Sequence, residues 1–302
     1  MESIKNFNDL IAHLANSGQR KKVAVVCASD DSTQGAVFMA LEANIIDAVF
    51  VGCSPQIEST EGAAKYAQHI SYVDADDPDD AAAKAVALVR EGKADILMKG
   101  MINTDNLLKA VLNKETGILP KGRVLTHVTV AQMAQYHKLL IFSDAAVIPY
   151  PTQEQRVEQV KYTVSLCHAL GITSPKVALI HCSEKVSEKA FPFTVGYKDI
   201  IDMAQQGAFG DCVVDGPLDL KTSLDQHSLE KKGIQSPLNG EADVLIFPDI
   251  EAGNVFYKTI TFLAGADTAG ILQGPLAPVV LASRGDSKES KFYSLAAAAS
   301  IA

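Results

Sequence analysis

Short apolar runs alternate with longer amphipathic stretches along this chain, and the alternation predicts strand–helix pairs almost from end to end. Residues 4–17 put Ile4, Phe7, Leu10, Ile11 and Leu14 on one face at helical spacing. KKVAVVCA (21–28) is a continuous apolar run of the kind buried parallel strands show. The same reading predicts strands at 46–53, 71–75, 94–100, about 123–129, 138–147, 176–182, 211–220, 242–250 and 277–283. Helices are predicted in VFMALEANI, EGAAKYAQHI, 76–92, 103–115, 154–171, the end of SEKVSEKAFPFTVGYKDIIDMAQQG, and the closing KESKFYSLAAAASIA. This alternation argues for α/β architecture on a parallel sheet. IPYPTQEQ (148–155), with two prolines before a capped helix start, predicts a hinge between two α/β domains.

Composition narrows the function classes. The 302 residues are enough for about two domains, and 47% hydrophobic with 21% charged residues is ordinary globular usage. A net charge of −9 without a basic run argues against nucleic acid, although a local basic pocket still suits a small anion. No run is apolar enough for a membrane span, and the N-terminus reads as an amphipathic helix rather than a cleaved signal. Cys27, Cys53, Cys167, Cys182 and Cys212 are scattered, with no C-x-x-C, which suits buried thiols in a cytoplasmic protein. Cys167–His168 and His181–Cys182 are adjacent pairs, and neighbours in a helix or strand point different ways, which argues against a nucleophile pair. The P-loop, the G-x-G-x-x-G fingerprint, the G-x-S-x-G elbow and H-E-x-x-H are all absent, so neither a metal nor a nicotinamide is expected.

Ligands of open α/β sheets bind beyond the carboxyl ends of strands. The residues predicted there are Lys99 and Gly100, His127, Ser143 and Asp144, Asp215, Asp249, Gly253 and Asn254, and Ser283 and Arg284. The densest stretch is Phe247–Ser294, read as two loops that each follow an apolar run and lead toward a helix. The first carries Asp249, Gly253, Asn254 and Lys258; the second carries Ser283, Arg284, Asp286, Ser287 and Lys288. A helix start with free N–H groups, a hydroxyl and a guanidinium suits phosphate. The blander readings are a hydrogen-bonded core histidine at 127, turn-holding aspartates at 144 and 215, a simple turn at 253–254 and a solvated Lys258.

Five segments carry a resemblance: 94–115, 141–155, VVDGPLDL (213–220), 247–270 and 277–298. With their IEAGN-x-x-YK and VVL-x-SR-x-DS-x-x-x-K patterns, the chain resembles the phosphate acetyl/butyryltransferase family, on its butyryl side. The resemblance implies a two-domain isocitrate/isopropylmalate dehydrogenase-like α/β fold, with mostly parallel sheets and a cleft between the domains. It implies residues 1–145 plus 278–302 as one domain and 146–277 as a dimerising second one. The implied reaction is acyl-CoA plus phosphate giving acyl phosphate plus CoA, with coenzyme A as substrate and no cofactor. Ser283, Arg284 and Asp286 are then the catalytic candidates, and Lys99, Gly100, Gly253, Asn254 and Lys258 the candidates for CoA and phosphate. Acetyl-type relatives are expected to carry an aspartate six residues past the arginine, where this chain has Ser290. An acetyl-specific enzyme and a CoA-binding, non-catalytic homologue are the alternatives.

Overall fold

Runs that are apolar on both faces become the inner strands, and the amphipathic stretches between them cover the sheets. The computed structural model describes residues 3–52, 54–281 and 285–302, the side chains of Ser54 and Gln56 apart. In chain order, the first stretch holds α1 (Phe7–Asn16), β1 (Lys21–Val26), α2 (Asp31–Glu42), β2 (Ile46–Val51), α3 (Ser54–Glu58), α4 (Glu61–Lys65), β3 (Ile70–Val73), α5 (Pro78–Arg90), β4 (Ile96–Lys99) and α6 (Thr104–Val111). The middle holds β5 (Thr126–Gln132), β6 (Leu140–Ser143), α7 (Gln153–Ala169), β7 (Lys176–Ile180), α8 (Val195–Gln205), β8 (Val213–Leu218), α9 (Leu220–Leu224), α10 (Gln226–Lys232), β9 (Val244–Ile246) and α11 (Ile250–Leu263). The last stretch holds β10 (Asp267–Gln273), β11 (Val279–Val280) and α12 (Lys288–Ala299).

Backbone proximity divides the chain into two compact units, Phe7–Leu125 with Thr268–Ala302, and Thr126–Asp267 with the residues up to Asn6. The divisions fall at 125/126 and 267/268, whereas the sequence reading places them at 145/146 and 277/278. Strand pairing is the reason. β5 pairs with β6 and β6 with β9, so 126–143 groups with the middle of the chain. β10 pairs with β11, which draws 268–277 to the other unit. The segment 148–155, predicted as a hinge, lies inside the middle unit, where Thr152 and Gln155 form a capping box at the start of α7.

In the unit of Phe7–Leu125 and Thr268–Ala302, the strand order is β3-β2-β1-β4-β11-β10, parallel except for the β10–β11 pair. β4 is buried along its length and β1 over its last four residues, which is why both read as unbroken apolar runs. β1, β4 and β11 are parallel neighbours, so the segments after Val26, Lys99 and Val280 leave the sheet at the same edge.

In the middle unit the order is β5-β6-β9-β7-β8, with β5–β6 antiparallel and the rest parallel. Its core gathers Phe142, Leu245, Phe247 and Ile260, with Phe256 and Tyr257 of α11 packed against them. Phe142 meets Phe256 edge-on with ring centroids 5.2 Å apart. Each such side chain contributes on the order of 1.5–3 kcal/mol by leaving water, which seats the inner face of α11 on the strands before it.

Candidate functional site

At the β1–β4–β11 edge, the ends of β1 and β4 close tightly on each other. Gly100 N donates to Val26 O at 2.8 Å and Met101 N to Cys27 O at 2.8 Å. A Cβ on Gly100 would lie 2.5 Å from both the Val26 and Cys27 carbonyl oxygens, so only glycine fits there. Gly100 is thus a close-approach residue at this edge. Lys99 is 4% exposed, and its ammonium donates to Gly100 O at 3.2 Å.

Beyond β11, Ser283 and Arg284 lie outside the described residues. Asp286 is half-buried, and Ser287 caps α12, its hydroxyl accepting from Ser290 N at 3.1 Å. Glu289 stands 3.9 Å from its neighbour Lys288. The Ser290 hydroxyl donates to Thr268 O at 2.7 Å, so the position where relatives are expected to carry a carboxylate is here a backbone tie.

The sequence reading gives no role to two residues of this edge, although Lys291 is the closing lysine of the VVL-x-SR-x-DS-x-x-x-K pattern. Lys291, 4% exposed, donates from Nζ to Ser32 Oγ (2.6 Å), Thr33 Oγ1 (3.1 Å) and Asp30 Oδ2 (3.2 Å). Asp30 is the N-cap of α2. Burial pushes its carboxyl up, but hydrogen bonds from Ser32, Thr33 and Lys291 outweigh that and hold it at about 2. The signal was present in the sequence: Lys291 stands one turn before Leu295, in line with the apolar stripe of α12.

The β6–β9–β7 edge of the middle unit is built on Asp144, which is 2% exposed. Its Oδ1 accepts from Ala146 N (2.8 Å) and Val147 N (2.9 Å). Its Oδ2 accepts from Thr126 Oγ1 (2.7 Å), His127 N (3.0 Å) and Ile148 N (3.3 Å). A carboxylate with five donors organises its loop, the role an aspartate at a turn readily takes. Ser143 Oγ donates to His127 O at 2.9 Å, and His127 is a buried histidine with Thr129 Oγ1 3.3 Å from Nδ1. Asp215 holds its own turn, accepting from Gly216 N (2.9 Å) and Ser236 Oγ (2.6 Å).

Gly253, Asn254 and Lys258 lie on α11, not on a loop, and Asp249 caps that helix by accepting from Ala252 N at 2.8 Å. A Cβ on Gly253 would overlap the Asp144 carbonyl oxygen, and Asn254 Nδ2 donates to Ala145 O at 3.0 Å. Both residues therefore dock the first turn of α11 on the loop that Asp144 organises. Lys258 is exposed, with Nζ 4.7 Å from the centre of the Tyr257 ring. Arg156 of α7, also missed in the sequence, lies buried under the β9–α11 turn and donates to Pro248 O at 3.1 Å.

His181 and Cys182 lie just past the end of β7, and His181 Nε2 is 3.7 Å from Cys182 Sγ. The alternation that separates neighbours within a strand no longer holds there, so the pair touches. Burial lowers the His181 pKa. Among the described residues, no group of three or more His, Cys, Asp or Glu is placed to hold a metal ion.

Residues 73–299 match the family described as phosphate acetyl/butaryl transferase. The chain is 40% identical to the phosphate butyryltransferase of Clostridium acetobutylicum over 99% of both chains. It is 38% identical to the phosphate acetyltransferase of Thermotoga maritima, over 94% of this chain and 96% of that one. A branched-chain phosphotransacylase from Enterococcus faecalis superposes with a TM-score of 0.81 at 31% identity, covering 93% of this chain and 99% of the other. The fold extends further. The Salmonella typhimurium structure assigned to 4-hydroxythreonine-4-phosphate dehydrogenase matches with a TM-score of 0.56 at 13% identity, covering 94% and 100%. That likeness bears on fold alone and agrees with the dehydrogenase-type α/β scaffold expected from the sequence.

Proposed function

The chain belongs to the phosphate acetyl/butyryl transferase family, and on that premise we propose that it moves a short-chain acyl group, butyryl in the first place, between coenzyme A and inorganic phosphate in the cytoplasm. The observation that carries this reading is the 40% identity to a phosphate butyryltransferase over 99% of each chain.

In the proposed reaction a phosphate oxygen attacks the thioester carbonyl, a tetrahedral oxyanion forms, and the CoA sulfur leaves as thiolate. Two charges need holding: the phosphate and the developing oxyanion. Arg284 has the forked, permanently charged donors for this, and Ser283 offers a hydroxyl to phosphate or sulfur. Lys99, on the strand next to β11, adds a buried ammonium at the same edge of the sheet, and Gly100 lets the backbone approach. In the reverse direction a base takes the thiol proton, and Asp286 is the carboxylate proposed for it, since the Ser290 hydroxyl is engaged by Thr268. Asn254 and Lys258 share an exposed face of α11 and are proposed to meet the phosphates of CoA. Gly253 supports them by letting the helix start sit against Asp144.

A homodimer is part of the proposal. The outer face of α11 leaves Val255 (66%), Leu263 (75%) and Phe262 (87%) exposed, and apolar side chains this bare on one helix suit a second copy of the chain.

The 38% identity to an acetyltransferase supports acetyl transfer as the second reading. One assay separates the readings: thiol release from acetyl-, propionyl-, butyryl- and isobutyryl-CoA, with and without phosphate. The expected result is phosphate-dependent release that is fastest with butyryl-CoA. Fastest release from acetyl-CoA would establish the second reading. CoA binding without any phosphate-dependent release would mark a non-catalytic homologue.

A further inference from the structure

The ion pair between α12 and α2 joins a buried ammonium to a partly exposed carboxylate. Lys291 is the fourth residue of α12, and its ammonium is buried against the first turn of α2. Both helix starts carry partial positive charge, which opposes a cation there. Desolvating an ammonium and a carboxylate costs several kcal/mol per ion, and an apolar side chain of similar size often serves stability as well or better. An apolar residue at 291 would also extend the stripe that continues through Leu295 and Ala298. Stability alone therefore does not call for a lysine here, whereas its geometry does account for a positional role.

One oxygen gathers the whole arrangement. Asp30 Oδ2 accepts from Thr33 N (2.9 Å), Ser32 Oγ (2.7 Å), Thr33 Oγ1 (2.9 Å) and Lys291 Nζ (3.2 Å). The two helices also approach closely, Lys288 Cδ lying 3.4 Å from where a Cβ on Gly35 would stand. α2 follows β1 and α12 follows β11, and β4, which ends in Lys99, runs between those strands. The pair thus ties together the segments on either side of the strand that carries Lys99. Lys291 is four residues past the cap Ser287 and five past Asp286, so the place of its ammonium fixes where α12 begins.

We propose that Lys291, anchored on Asp30, is a positioning residue for acyl transfer: it sets the start of α12, and with it Asp286, relative to the β1–β4 edge. This rests on the reading of Arg284 as the phosphate and oxyanion group.

The test is kinetic. Lys291→Met, Lys291→Arg and Asp30→Asn are compared in the otherwise unchanged protein, and Lys291→Met also in an Arg284→Ala background. kcat and both KM values are measured at a temperature where circular dichroism shows each variant folded. Misplacing a reacting group by about 1 Å costs about 10²-fold in rate. Lys291→Met is accordingly expected to lose 10–100-fold in kcat, with the KM for acyl-CoA moving less than threefold and Lys291→Arg recovering part of the loss. In the Arg284→Ala background, already slow, it costs less than threefold more. Asp30→Asn reproduces the kcat loss and carries the test if Lys291→Met does not fold. Full turnover in Lys291→Met or Asp30→Asn, beside a large loss in Arg284→Ala, overturns the positioning role and leaves the site standing. Losses that multiply in the double variant overturn it as well, because Lys291 would then act apart from Arg284. Near-normal turnover in Arg284→Ala sinks the underlying site reading instead.

Discussion

Asp30 and Asp144 are both carboxylates at the ends of strands, yet they do different work, and the number and kind of their donors decide it. Asp144 spends both oxygens on a hydroxyl and backbone N–H groups of its own loop and of β5, so it shapes backbone. Asp30 places one oxygen on a lysine 261 residues away, while its buried Oδ1 has no hydrogen-bond partner. Its folded pKa of about 2 lies below the ordinary carboxylate value of 3.8. A depressed folded pKa gives stability that is complete above the unfolded value and is lost as pH falls through the folded one. Asp30→Asn should therefore melt below the parent protein at pH 6, and the gap should close as pH drops from about 4 toward 2. Melting temperatures measured across that range check this, and a gap independent of pH would show that charge on Asp30 contributes nothing. Gly253 shows the other residue-scale lesson. Sequence reading placed it in a ligand loop, but the close approach of the Asp144 carbonyl explains the glycine without any ligand.

Among the elements, α11 departs furthest from its predicted form. Sequence reading makes FPDIEAGNVFYK a loop that leads toward a helix, whereas in the structure the helix already begins at Ile250, capped by Asp249. Of its 14 residues only Gly253 and Ile260 are fully buried, although the sequence is strongly apolar. The inner side, with Phe256, Tyr257 and Ile260, packs on Phe142 and its neighbours, and the outer side holds Val255, Phe262 and Leu263 in the open. If that side is where two copies meet, Phe262→Glu with Leu263→Glu should convert a dimer to a monomer in light scattering, with the helical signal unchanged. A doubly substituted protein that stays dimeric would move the interface elsewhere. Other misses have simple causes. The pattern does not reveal β10 because Gly270 interrupts DTAGILQ, Gly265 and Gly274 flank it, and Gly and Ala carry little strand signal. α9 and α10 are five and seven residues long, too short for periodicity to register.

For the whole molecule, binding should appear as stability. A ligand that binds only the folded state at 100 times its Kd adds about 2.7 kcal/mol. Coenzyme A at that excess should raise the melting temperature measurably, and the Lys99→Ala protein should show a smaller rise at the same concentration. An equal rise in both would remove Lys99 from the binding group. The alternation of apolar runs with amphipathic stretches was enough to establish an α/β protein, because burial on both faces of a parallel strand leaves no polar positions to disguise it. The family was legible for a similar reason: the IEAGN-x-x-YK and VVL-x-SR-x-DS-x-x-x-K patterns are local features. Where the chain divides was not local. It depends on β5 pairing with β6, and β10 with β11, and pairing between separate segments leaves no mark within either. The tie between Asp30 and Lys291 is the extreme case. The apolar stripe of α12 marks Lys291 as inward-facing, but nothing in either segment pairs it with Asp30, and only the parallel placing of β1, β4 and β11 brings the two within hydrogen-bond distance.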